Sequence, residues 1–462
     1  MLCYEVVKVK TNRQDCSFLC FRLVSCKNIQ RVIFPKLNQH FIKGRIVTIS
    51  RRRLMSEIKL LKNATILDVE MGELIEGMSI VIEKDRIVEV EKNINLQKID
   101  QIIDLKGKIA LPGLCDAHVH VIASTPNFAE IERWSPVFTT ARAMRILKNM
   151  LMRGFTTVRD AGGADFGLAR AIDEGFATGP RLLFCGKALS QTGGHGDMRG
   201  PGENFESCFC CAGLGRVCDG VSEVRKACRD EIRKGANHIK IMASGGVASP
   251  TDRISSSQFS LEEITAAVEE AENANLYVLA HAYLPKSISR ALNCGVRSIE
   301  HGNMIDAKAS SLLIEKNAFL VPTMSTHEIL PLEGLKAGMP ADMIEKVAAV
   351  TEAGKMNFPN AWKQGVRMVF GTDLLGTMHE HQLLEFALRG EFQKPIDVIR
   401  SATNVAAELF QMTGDIGQIK PGAFADIIAV TGNPLEDLGV LQNPDKFLKM
   451  IIKAGIVFKD ET

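Results

Sequence analysis

From about residue 113 to residue 373 the chain alternates short apolar, β-branched runs with longer amphipathic stretches, and each run ends in glycine or polar residues. The runs are Gly113 to His120, Thr156 to Asp160, Arg181 to Ser190, His238 to Ser244, Leu276 to His281, Ser298 to His301, Ala318 to Met324 and Arg367 to Asp373. Helical patterns separate them, for example Leu261 to Ala274 with Ser260 placed to cap it. Eight parallel strands alternating with helices over roughly 300 residues is the arithmetic of a TIM-like (β/α)8 barrel, which the sequence predicts over residues 113–412.

Outside that middle section the pattern changes to period two. Ala64 to Leu67, Met78 to Glu83, Arg86 to Glu91 and Gln101 to Asp104 read as short strands, and similar text returns at Ala425 to Val430 and Met450 to Val457. Because chain termini tend to lie close together, residues 55–112 and 413–462 are expected to combine into one small β-sandwich. Residues 1–54 fit neither part. They carry twelve Lys/Arg against Glu5 and Asp15, a net +10, so the other 408 residues sum to −8 within an overall +2. This basic stretch reads as a targeting segment, an upstream translation artefact or a disordered arm, and the domain is taken to begin near Met55.

A mildly acidic body argues against a nucleic-acid surface. No apolar run approaches the roughly 18 residues of a membrane span. Twelve cysteines without a framework read as free thiols in a reducing compartment, so a cytoplasmic protein is expected. Cys208, Cys210 and Cys211 cluster but lack a second pair or a nearby histidine.

The chain has ten histidines, and five lie at or beyond the C-terminal ends of predicted strands, where a barrel carries its active site. In Asp116-Ala-His118-Val-His120, strand alternation puts both imidazoles on one face, with Asp116 one step deeper to orient a ligand. Two such imidazoles suit Zn²⁺ or a similar ion. His281 and His301 end consecutive strands. Either alone is more often a satisfied core histidine, but with His118 and His120 they make a four-His cage. Lys240, inside the apolar run His238-Ile-Lys-Ile-Met-Ala, needs its charge paired or removed. A salt bridge would do so, and so would a carbamate formed with CO2, which bridges two metals. Asp373 can touch a metal and accept a proton, or merely cap the following helix. His195 in Gly193-Gly-His-Gly-Asp197, Tyr283, and Arg159 beside Asp160 are candidates for substrate contact. Arg159 reads first as half of a structural ion pair with Asp160, and second as a holder of a substrate carboxylate. His238 is read as structural, and His379 and His381 as a solvated loop.

These residues resemble the binuclear amidohydrolase superfamily. His238-Ile-Lys-Ile-Met-Ala-Ser-Gly-Gly-Val-Ala-Ser-Pro-Thr-Asp252, Ala280-His-Ala-Tyr283, Ile299-Glu-His-Gly302 and Phe370-Gly-Thr-Asp-Leu-Leu-Gly376 are similar to its imidazolonepropionase-related branch. That branch contains Xaa-Pro dipeptidases (prolidases), basic-residue carboxypeptidases and ochratoxinase-like amidases. The likeness runs from about residue 56 to the C-terminus. It implies two divalent metal ions, taken as zinc: His118, His120 and Asp373 on one, His281 and His301 on the other, carbamylated Lys240 between them. It implies attack of a metal-bridging hydroxide on an amide carbonyl, with Asp373 carrying the proton to the leaving amine. The expected substrate is a small dipeptide, foremost Xaa-Pro, or an N-acyl amino acid. Arg/Lys release and ochratoxinase-like cleavage are the alternatives within that chemistry, and a non-catalytic scaffold is the alternative outside it. No nucleic-acid or membrane partner is expected, and the protein is expected to be a homo-oligomer.

Overall fold

The computed structural model describes residues 3–8, 19–24, 57–206, 208 and 211–462. The chain divides into two units, Met1–Leu54 and Met55–Thr462. In the first, Cys3–Lys8 pairs antiparallel with Leu19–Val24. The rest of the basic segment, with the targeting and disorder readings attached to it, lies outside the described residues.

In the second unit both chain ends enter one sheet. Among the described residues it has eight strands, ordered Ile456–Asp460, Leu448–Lys453, Ile427–Val430, Ile109–Pro112, Ile58–Asp68, Glu73–Glu83 and Arg86–Glu91, with Gln101–Asp104 joining off this path. The seam between N- and C-terminal segments is the antiparallel pair Ile427–Val430 and Ile109–Pro112. Ile58–Asp68 is long enough to take two partners on one side, Gln101–Asp104 along Lys59 to Lys62 and Ile109–Pro112 along Thr65 and Ile66. The period-two pattern explains its core: Leu61, Ile80, Ile82, Ile87, Ala110, Ile427, Ala429, Met450 and Ile452 pack together, all fully buried.

The middle section is mixed α/β. One parallel ladder joins Leu114–Val119, Phe155–Asp160 and Arg181–Leu183. A second joins Gly215–Val217, Ala188–Ser190, Ile239–Met242, Val278–Ala282, Ser298–His301, Phe319–Val321 and Arg367–Met368, every neighbouring pair parallel. Most of these strands are buried along their whole length, as parallel strands covered on both faces must be. Ser260 caps the helix Leu261–Asn273 in a reciprocal capping box with Glu263. Among the described residues no helix is long and apolar enough to cross a membrane.

Two strands depart from the sequence reading. Arg181 to Ser190 is two strands, because Gly186 turns left-handed (φ +71°) where a Cβ would meet the Glu231 carboxylate at 2.1 Å. The last run keeps ladder geometry only at Arg367–Met368. Beyond it the backbone swings to the first strand: Ala117 N donates to Phe370 O at 2.8 Å, and Asp373 N to His118 O at 2.8 Å. That swing carries Asp373 to the histidines.

Candidate metal centre

The first strand ends in Asp-Ala-His-Val-His, and its pleat turns His118 and His120 to the same side, ring centroids 5.3 Å apart. Asp373 Oδ1 lies 3.5 Å from His118 Nε2 and 3.3 Å from His120 Nε2. These three residues offer ligand atoms all within 4.8 Å of one another. His301 stands 5.0 Å from the His118 ring and 4.7 Å from the His281 ring. Lys240, rising from Ile239–Met242 and 1% exposed, lines the same cavity. The six residues that the sequence analysis assigned to metal thus face one buried space.

Each ring is fixed by a hydrogen bond behind it, which decides where its lone pair points. His118 Nδ1 donates to Glu300 Oε2 at 2.6 Å, so Nε2 faces the cavity as an acceptor; that atom is buried and has no hydrogen-bond partner. His120 Nδ1 donates to Gly162 O at 3.0 Å, again leaving Nε2. His281 Nε2 donates to Gly245 O at 3.1 Å, which leaves Nδ1. His301 Nδ1 is held 2.8 Å from Thr323 Oγ1. Burial pushes His118 down to about 4 and drives His281 and His301 well below the ordinary imidazole range. They are neutral at neutral pH, the form that binds cations. Burial opposes ionisation of Asp373, yet His118 and His120 hold its carboxyl at about 2. An orphaned imidazole nitrogen amid neutral donors and one carboxylate suits a divalent cation.

Three non-glycine residues with left-handed backbone cluster here: His301 (φ +71°), Thr323 (φ +47°) and Asp373 (φ +54°). Such conformations are uncommon for branched or bulky side chains and gather at functional sites. Thr323 serves two rings, its hydroxyl on His301 and its carbonyl accepting from His327 Nδ1 at 3.0 Å.

His195 and Tyr283 also line the cavity. His195 stacks on His281 at 4.2 Å, its Nδ1 2.7 Å from Ser249 Oγ, over a turn where a Cβ on Gly246 would collide with the imidazole at 2.1 Å. Tyr283 donates its hydroxyl to His327 Nε2 at 3.3 Å. Apolar Phe128, Met242, Val247, Leu330 and Leu375 complete the walls.

Three readings are corrected. Arg159 does not reach the cavity. It is fully buried, with Nη2 on Glu300 Oε1 at 2.8 Å and Nε on Ala117 O at 2.6 Å, so its charge is spent inside the fold. Asp116 orients no ring; it accepts from Thr372 Oγ1 (2.6 Å), Gln382 Nε2 (2.9 Å) and His118 N (3.1 Å), tying the last strand to the first. His379 is not in a solvated loop but buried in the 3-10 turn Gly376–His381, 3.3 Å from Ala123 O, while half-exposed His381 pairs with Glu333. His238 is buried, bonded to Asp160 O, in keeping with a structural role. Sequence reasoning missed Glu300 and His327. A glutamate embedded in the apolar run Ser298-Ile-Glu-His was the available signal for the first, and a histidine shortly past a strand end for the second.

Residues 109–457 match the profile of the amidohydrolase family. The ochratoxinase of Aspergillus niger is 34% identical over 365 residues, 76% of each chain. A prolidase solved with N-methylphosphonate-L-proline is 47% identical with a TM-score of 0.85, covering 87% of this chain and all of that one. A Xaa-Pro dipeptidase with methionine bound in its active site is 30% identical with a TM-score of 0.78, again over 87% and 100%.

Proposed function

The chain belongs to the amidohydrolase family of enzymes, and from that premise we propose that it hydrolyses the amide bond of a small substrate, foremost an Xaa-Pro dipeptide, using two divalent metal ions. The carrying observation is the convergence of His118, His120, Lys240, His281, His301 and Asp373 on one buried cavity. In this reading His118, His120 and Asp373 would hold one ion, His281 and His301 would hold the other, and Lys240, as a carbamate, would supply a shared anionic ligand. Burial pushes the Lys240 amine down to about 8, so a usable fraction is neutral near physiological pH. A neutral amine adds CO2 and loses a proton, giving an anionic oxygen pair that also removes the cost of a buried cation. The two parallel ladders and the hydrogen bonds from Asp373 and Ala117 across to the opposite strand support a closed (β/α)8 barrel around this site.

Zinc or a similar ion supplies Lewis acidity, lowering the pKa of water from 15.7 to about 7 and polarising a carbonyl. The protein's own groups do the rest. Asp373, anionic and close to both His118 and His120, accepts the proton of the attacking water and returns it to the leaving nitrogen. Tyr283 can turn its hydroxyl from His327 to the carbonyl oxygen as charge develops there. His195, held by Ser249 over the mouth, contacts the substrate, and the apolar walls exclude water.

The Xaa-Pro preference rests on the 47% identical prolidase. A second reading, an N-acyl amino acid amidase, is favoured by the ochratoxinase likeness and by the apolar lining. Turnover of Ala-Pro, Ala-Arg and N-acetyl-Phe by the metal-loaded protein separates the two. No turnover of any Xaa-Pro dipeptide would end the first reading.

A further inference from the structure

The helix Pro136–Met152 presents Arg142, Arg145 and Asn149 on one face, at helical spacings of three and four, and Arg153 continues the row at its C-cap. Across a cavity of about 270 Å³ this row faces the turn Gly376–His381, which contributes His379 and Glu380. Three arginines therefore meet one carboxylate, and among the described residues none of the three forms an ion pair. Arg142 is pinned, with Nε on Ser124 Oγ at 2.7 Å, Nη2 on Ser124 O at 2.8 Å, and its guanidinium 5.1 Å from the Trp134 ring. Arg153 is the telling member. Its Nε donates to Gln382 Oε1 at 3.0 Å, but Nη2 is buried with no partner. Burial pushes this guanidinium down to about 10, against the pull of the Asp116 and Glu380 carboxylates, neither of which forms an ion pair with it. A buried donor left unmade is unfavourable, and guanidinium forks match the planar or tetrahedral oxygens of carboxylate and phosphate.

We infer that this pocket is an oxyanion site, built to take a phosphate or multivalent carboxylate group between Arg145 and Arg153. The site lies outside the metal cavity yet touches its frame. Gln382, the partner of Arg153, donates to Asp116 Oδ2 at 2.9 Å, and Asp116 accepts from the backbone of His118. The inference does not depend on which amide the enzyme cleaves.

Calorimetric titration of the metal-loaded full chain with inorganic phosphate, and separately with succinate, tests it, with chloride at matched ionic strength as the reference. Saturable, exothermic binding of one or both is expected, and the tighter of the two identifies the anion class. Arg145→Gln and Arg153→Gln should each weaken binding about tenfold or more. Arg145→Gln, an exposed position, should leave fold and hydrolysis in anion-free buffer unchanged, and it decides the matter if Arg153→Gln fails to fold. Absence of binding by both anions would overturn the inference. So would phosphate binding that survives both substitutions, since that anion would sit at the metals.

Discussion

Glu300 Oε2 lies 2.6 Å from His118 Nδ1, and the other oxygen of the same carboxylate lies 2.8 Å from Arg159 Nη2, with all three side chains shut off from solvent. One buried carboxylate thus neutralises a buried guanidinium and fixes the tautomer of a ring facing the cavity. Burial works against ionisation, but Arg159 and His118 hold Glu300 far below the ordinary carboxylate range.

Glu300→Gln should therefore fail in two separable ways. It leaves Arg159 buried and unpaired, a loss of roughly 3–5 kcal/mol in urea unfolding. It also frees the His118 ring, lowering metal affinity about 10- to 100-fold. Adding Arg159→Met should recover much of the stability and none of the metal affinity. Equal recovery of both would mean that the carboxylate serves only the ion pair.

Tyr283→Phe removes one oxygen from a buried site where the hydroxyl bonds to His327. Metal content and thermal stability should stay close to wild type, while kcat on the best dipeptide falls about 100-fold, the scale of a lost donor to a developing oxyanion. An unchanged kcat would reduce Tyr283 to packing.

Glu385 supplies a pH dependence away from the centre. Burial raises its carboxyl to about 7, above the ordinary 4.5, against the pull of nearby Arg389. Oε2 accepts from Ser325 N and Oγ at 2.8 Å, while Oε1 has no partner. The folded state binds this proton more tightly than the unfolded chain, so the contribution is present below pH 4.5 and is lost as pH rises towards 7. Relative to Glu385→Gln, wild type should lose roughly 3 kcal/mol between pH 4.5 and pH 8. Parallel stability curves for the two proteins would show that the carboxyl titrates normally.

The parts of the site legible in the sequence were those governed by strand alternation. His118 and His120 share a face because they are two residues apart, and His281 declared itself by ending an apolar run. His301 lines the cavity for a reason that alternation does not contain. Ser298 and Glu300 point together at Arg159, and His301 would face away from them were its backbone not left-handed. The same holds for Asp373, whose left-handed turn follows the departure of its strand from the ladder. Local text does not encode such turns; packing imposes them. Arg159 misled because an arginine at a strand's end looks the same whether its partner is substrate or a glutamate 141 residues away.

The pairing of two cations across Lys240 is the claim on which the functional reading rests. Crystals of the protein grown with zinc and bicarbonate, measured at the zinc absorption edge, test it most directly. Two anomalous peaks are expected, one beside His118, His120 and Asp373 and one beside His281 and His301, about 3.5–4 Å apart, with branched density extending from Lys240 Nζ to both. A bare lysine amine with a single peak, or with none, would contradict it.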